Sequence, residues 1–141
     1  MKNLKEYITE AFDKKIERKI EKFIKDNYEC GDIFININND GKYEVSCSGH
    51  VRVKNEDIES LTDGLFVWGE VRGNFGCGYC EKLKSLEGAP REVRGNFYCT
   101  GCKSLTSLDG CPEIVRGDFD CQDCKSLKSH KTDKIGGNFY M

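Results

Sequence analysis

Nine cysteines in a chain of 141 residues are the first chemistry the sequence offers. Six of them form three Cys-x-x-Cys pairs, Cys77 with Cys80, Cys99 with Cys102 and Cys121 with Cys124. Eighteen residues separate one pair from the next, which is the spacing of a four-thiolate zinc site. Two histidines, His50 and His130, complete the set of soft or titratable ligands. Neither sits beside a nucleophile or in a metal motif, so no active site is expected and the chain reads as a non-enzyme without a cofactor. Gly73-Asn-Phe-Gly-Cys-Gly lacks the Lys-Ser/Thr and the long following helix of a phosphate loop.

The elements that must position these thiols change what the spacing means. From Val71 the chain repeats itself at an interval of 22 residues, Val71-Arg-Gly-Asn-Phe-Gly-Cys against Val93-Arg-Gly-Asn-Phe-Tyr-Cys against Val115-Arg-Gly-Asp-Phe-Asp-Cys. A degenerate unit precedes them from Gly49, with Val51, Val53, Ile58 and Leu61 in the matching places, and Ile135-Gly-Gly-Asn-Phe-Tyr-Met opens another. Self-similarity at this period predicts a solenoid. Within a unit, Val93, Gly95, Phe97 and Cys99 alternate with Arg94, Asn96 and Tyr98, which predicts one short strand with the first set inward. Cys102, Leu105 and Leu108 follow at intervals of three, as a compact turn would place them. The gap between the Cys pairs is thus imposed by the repeat. Cys77, Cys99 and Cys121 are expected in one inward column and Cys80, Cys102 and Cys124 in a second, packed as small hydrophobes. A zinc-binding protein, with nucleic-acid contact, is the alternative.

Residues 1–29 hold no Pro or Gly and carry apolar residues at helical spacing. Leu4, Tyr7, Ile8, Ala11 and Phe12 cluster on one face, while Ile16, Ile20, Phe23 and Ile24 cluster on a face turned by more than a quarter circle. That offset predicts two short helices meeting near Asp13, or one bent helix whose first half faces something else, and the plain expectation is that both halves pack on the rest of the chain. Ile33 to Asn38, Asn39-Asp-Gly and Lys42 to Cys47 read as strand, turn and strand, a β-hairpin. The fold class is therefore α+β: a helical segment (1–29), then a hairpin-capped solenoid of four to five coils (30–141).

The pattern Phe97-x-Cys99-x-x-Cys102-x-x-Leu105 resembles the core of a leucine-rich repeat, with one extra residue before the last apolar position. The hairpin, the degenerate first coil and units of the form Gly-Asn/Asp-Phe-x-Cys-x-x-Cys-x-x-Leu together resemble a group of leucine-rich-repeat-like proteins encoded by tailed bacteriophages, over about residues 31–141. The start, Met1-Lys-Asn-Leu-Lys-Glu-Tyr-Ile-Thr-Glu-Ala, is similar to a short signature that directs some internal phage proteins into the capsid. The resemblance implies a fold and a viral origin, with the cytoplasm of an infected bacterium, or the virion, as location.

The outward rows Arg72, Arg94, Arg116 and Asn74, Asn96, Asp118, with Tyr98, are the candidate binding face. Three arginines at strand spacing repel unless anions flank them, and Glu70, Glu92 and Asp118 are the candidates; the face is then either self-compensated or a recognition surface for an acidic or phosphate-bearing partner. A net charge of −2 gives no field for nucleic acid or an anionic membrane. The expected function is a non-enzymatic protein-interaction module whose partner is a host protein, including one of host defence, or a viral one; a virion-packaged structural protein is a further alternative. The strand at Ile135 to Met141 has no returning half, so its edge is expected either to pair with a second copy or to be covered by the helical segment.

Overall fold

The computed structural model describes residues 1–128 and 135–141. His130 lies outside the described residues. The chain forms one helix followed by about four turns of a β-solenoid.

Helix α1 runs unbroken from Leu4 to Asn27. Asn3 and Glu6 form a capping box: the Asn3 side chain accepts from the Glu6 amide at 2.9 Å and Glu6 accepts from the Asn3 amide at 3.3 Å. The expectation that both halves pack on the chain is overturned. Ile20 and Ile24 are buried and Ile16 and Phe23 join them, but Leu4, Tyr7, Ile8 and Phe12 are exposed, Leu4 by 75%. A helix whose two apolar stripes point in different directions buries only one of them against a single partner. The Tyr43 hydroxyl donates to Asp13 at 2.7 Å and fixes the point where contact begins.

Strand β1 (Tyr28–Cys30) leaves the helix and pairs antiparallel with β4 (Val51–Val53). Between them lies the expected hairpin, β2 (Ile33–Ile37) and β3 (Tyr43–Cys47). Its turn is organised by Asn38, whose side-chain oxygen accepts from the amides of Asp40 at 2.9 Å and Lys42 at 3.1 Å, while Gly41 takes φ +76°. Six strands of the coils follow: β5 (Val67–Val71), β6 (Phe75–Gly76), β7 (Glu92–Val93), β8 (Phe97–Tyr98), β9 (Ile114–Val115) and β10 (Phe119–Asp120). β11 (Phe139–Tyr140) closes the described chain.

These strands build two sheets, β1-β4-β6-β8-β10-β11 and β2-β3-β5-β7-β9, whose coil strands pair in parallel. The single strand expected from Val93 to Cys99 is a correction: it is two strands in different sheets, with a corner at Arg94-Gly95-Asn96. Gly95 is not an inward residue. A Cβ there would lie 2.2 Å from Asn74 Oδ1 and 2.9 Å from the Gly73 carbonyl, so the corner stacks backbone on backbone and only glycine fits. Beyond the second strand, the Leu83, Leu105 and Leu127 amides donate to the carbonyls of Cys80, Cys102 and Cys124. These are the compact turns that the three-residue spacing predicts.

The core is one column along the solenoid axis. Phe75 and Phe97 stack with centroids 5.6 Å apart and planes 4° from parallel, and Phe119 and Phe139 continue the column. At its N-terminal end Trp68 meets Phe75 and Tyr28, and Phe23 of α1 packs edge-on against Phe66. The C-terminal half of α1 therefore covers the first coil. The option that the helix folds back over β11 is not the arrangement found.

Candidate functional site: the thiol columns and the arginine row

All six thiols of the Cys-x-x-Cys pairs are buried and free, and they stand in two inward columns. The Cys102 thiol donates to the Cys77 carbonyl at 3.1 Å and the Cys124 thiol to the Cys99 carbonyl at 3.0 Å. Cys102 and Cys124 thus each tie their coil to the first cysteine of the coil before, a role the spacing alone does not reveal, whereas the Cys80 thiol donates to the Gly78 carbonyl of its own coil at 3.6 Å. Burial pushes the Cys80 thiol up to about 12. Hydrogen bonds with Cys121 and Cys124, then burial, push Cys99 up; bonds with Cys124 and Cys77, then burial, do the same for Cys102. The opposite, downward shift falls on Cys121 and Cys124 through those same bonds. Among the described residues no three His, Cys, Asp or Glu side chains converge as a metal site would require. A four-thiolate zinc site needs its four sulfurs around one point, whereas a stack of coils sets like beside like in a line. Cys30 differs from the rest: the residue is exposed, on β1, while partial desolvation of its sulfur followed by the neighbouring Cys47 raises the thiol to about 11.

Outside, the residues of the expected binding face divide between two places. Arg72, Arg94 and Arg116 follow β5, β7 and β9, whereas Tyr98 stands on β8, in the other sheet. Between them the corner carries a polar ladder. His50 Nδ1 accepts from the Asn74 amide at 2.8 Å, Asn74 Oδ1 from the Asn96 amide at 2.8 Å, Asn96 Oδ1 from the Asp118 amide at 2.7 Å, and Asp118 Oδ1 from the Asn138 amide at 2.7 Å. These side-chain acceptors satisfy backbone donors that the bend releases. The Asn96 side-chain amide also donates to the Tyr98 hydroxyl at 2.7 Å. Asp118 makes no ion pair among the described residues, so its expected part in neutralising the arginines is not found. The His50 rung was missed because its coil is degenerate; the recurring Gly-Asn/Asp dipeptide was the available signal for the others.

Neutralisation comes from the glutamates. Glu70 Oε1 accepts from Arg72 Nε at 3.3 Å and pairs with Arg94 Nε at 3.4 Å; Glu92 Oε1 accepts from Arg116 Nε at 2.7 Å. Glu92 lies flat on the sheet with its side chain 12% exposed, against 59% for Arg116. Each guanidinium therefore meets its glutamate through Nε. A fork of Nη donors anchored by its own carboxylate is oriented for bidentate contact with a carboxylate or phosphate. Along the outer face of the same sheet, Phe34 is 62% exposed beside Ser46, which holds the Glu70 amide.

No family model, curated protein or solved structure matches this chain. No described helix is long and apolar enough to cross a membrane.

Proposed function

We propose that this protein is a non-enzymatic protein-interaction module that recognises an acidic partner along the arginine row. The observation that carries this reading is the tethering of Arg72, Arg94 and Arg116 through Nε to Glu70 and Glu92, which sets three largely exposed guanidinium groups in one row along the sheet. A solenoid suits such recognition because its surface is ordered before the partner arrives. The resemblance to phage repeat proteins makes a host protein or another viral protein the partner class. Affinity capture from infected cells, with wild-type chain beside the triple variant Arg72→Ser, Arg94→Ser, Arg116→Ser, tests it. The variant is expected to fold normally and to bind the captured partner at least tenfold more weakly, about 1.4 kcal/mol. Equal affinity would move the site to the helical segment.

The open apolar face of α1 favours one second reading, in which the N-terminal segment is an address read by a viral protein and the chain is carried in the virion. Its test is detection of the chain in purified particles, with Leu4→Ser and Phe12→Ser together abolishing that recovery.

A further inference from the structure

The longest exposed strand edge among the described residues is the outer side of β2. The Asn38 amide donates to the Lys42 carbonyl at 2.9 Å and the Ser48 amide to the Asp32 carbonyl at 3.0 Å. With the register running from Ile33↔Cys47 to Ile37↔Tyr43, the alternation of an antiparallel ladder directs Phe34 and Asn36 to β3 as well. The amides and carbonyls of Ile33, Ile35 and Ile37 therefore point away from β3. β2 is the terminal strand of its sheet, and none of these groups has a hydrogen-bond partner among the described residues.

Edge strands in monomeric proteins are blunted by charge, proline, a bulge or brevity. Ile33-Phe-Ile-Asn-Ile37 has no charge and no proline, and its register with β3 is unbroken. It is five residues long, against two for β11 at the far edge of the other sheet. Phe34, Asn36 and Ile37 are exposed.

We propose that β2 pairs antiparallel with β2 of a second copy, about a two-fold axis through Ile35. Self-pairing is favoured over other occupants by the strand's own chemistry. The two-fold sets Ile35 against Ile35, Ile33 against Ile37 and Phe34 against Asn36, so no charge meets a like charge; at the ends Asp32 meets the Asn38 amide. The exposed stripe of α1 does not share this property. Past Phe12 its face continues into Lys15, Arg18, Lys19 and Lys22, all exposed, and a symmetric parallel pairing would set cation on cation. Pairing through β2 joins the two five-stranded sheets into one and supplies partners to every outward amide and carbonyl of the three isoleucines. It is independent of the arginine row.

The test follows oligomeric state by sedimentation velocity from micromolar to millimolar chain, alongside amide hydrogen exchange. A dimer is expected at the upper end, with the Ile33, Ile35 and Ile37 amides exchanging more slowly as concentration rises. Phe34→Lys with Asn36→Lys sets lysine against lysine across the axis and is expected to raise the dimer dissociation constant at least tenfold. Phe34→Glu with Asn36→Lys sets carboxylate against ammonium and is expected to restore it. Both substituted positions, Phe34 and Asn36, are exposed in the single copy, and unchanged thermal melts check the fold. A chain that stays monomeric throughout overturns the proposal and leaves the edge to a strand of another protein. A dimer that tolerates the lysine pair overturns it too, and places the contact elsewhere, with β11 the next edge to block.

Discussion

The coils from Val71 onward and the segment before them obey the same physics with opposite results. In the coils, nearly every group that folding would leave unsatisfied meets its own counterpart one turn away: Phe97 lies on Phe75, Asn74 bonds the Asn96 amide, and the Cys102 thiol bonds the Cys77 carbonyl. The N-terminal segment has no such counterpart. There an apolar helix face and a strand edge stand open, and α1, Tyr28 and Trp68 form a unique cap that closes one end of the column. Translation by one coil satisfies the interior of a repeat automatically, so groups are left open where repetition stops.

The sharpest way to break that comparison is to remove a rung from the column. Phe97→Ala takes a fully buried ring from between two others and is expected to cost about 3–5 kcal/mol in denaturant unfolding. Gly117→Ala attacks the corner instead. Its added carbon would lie 2.1 Å from Asn96 Oδ1 and 2.7 Å from the Gly95 carbonyl, and a loss of about 2–4 kcal/mol is expected. Gly78→Ala, where the nearest atom is the Thr100 carbonyl at 3.3 Å, is expected to stay within about 1 kcal/mol. Equal costs for the two glycines would mean that corner stacking does not hold the coils.

The thiol columns come next. Cys99→Ala is expected to cost about 1–2 kcal/mol as a packing change, with folding retained. Purified protein is expected to hold well under one zinc per chain and to keep its Tm in a chelator, because a structural zinc contributes folding free energy directly; stoichiometric metal would overturn the packed-column account. Cys80, taken by itself, predicts a pH dependence with a definite sign. Cys80 rises from 9.0 to about 12 on folding, so between those values the unfolded chain has lost a proton that the folded chain keeps. Stability is then full below about pH 9 and falls as pH rises towards 12. Tyr28, raised by burial from its ordinary 10.0, acts in the same direction. Cys80→Ala is expected to flatten the alkaline limb, and an unchanged limb would assign it to other buried groups, Tyr28 among them.

Much of this architecture is legible in the residues. The 22-residue period places the cysteine columns, the phenylalanine stack and the inward leucines, because in a repeat a buried position must be buried in every copy. The Asn39-Asp-Gly turn places the hairpin. What stays hidden is the corner. Alternation runs unbroken from Val93 through Phe97 to Cys99, and a bend that preserves the phase of inward and outward residues looks the same in sequence as a continuing strand. Gly95 and Asn96 mark the bend only once the stacking of coils gives a carbonyl for the missing Cβ to avoid. Likewise Arg94 and Tyr98 share a parity yet stand on different sheets, which no spacing argument separates. The glutamate tethers of the arginines were expected from charge, but Asp118 was misplaced because its oxygen serves the ladder.

The smallest expected effect is on α1. Leu4 and Phe12 lie on the exposed stripe, and neither belongs to the core that Ile20 and Ile24 enter. Their apolar surface is already in water in the folded chain, so replacing it removes no burial, and serine lowers helix propensity only slightly. Phe12→Ser is expected to change unfolding free energy by less than about 0.5 kcal/mol, against several for Phe97→Ala. A loss of about 2 kcal/mol or more, the size of burying one large apolar side chain, would show that the stripe is covered in the free chain. If that loss disappears on dilution, the cover is a second copy; if it persists, the helix packs on its own chain, and the division between a self-satisfied solenoid and an open N-terminal segment no longer holds.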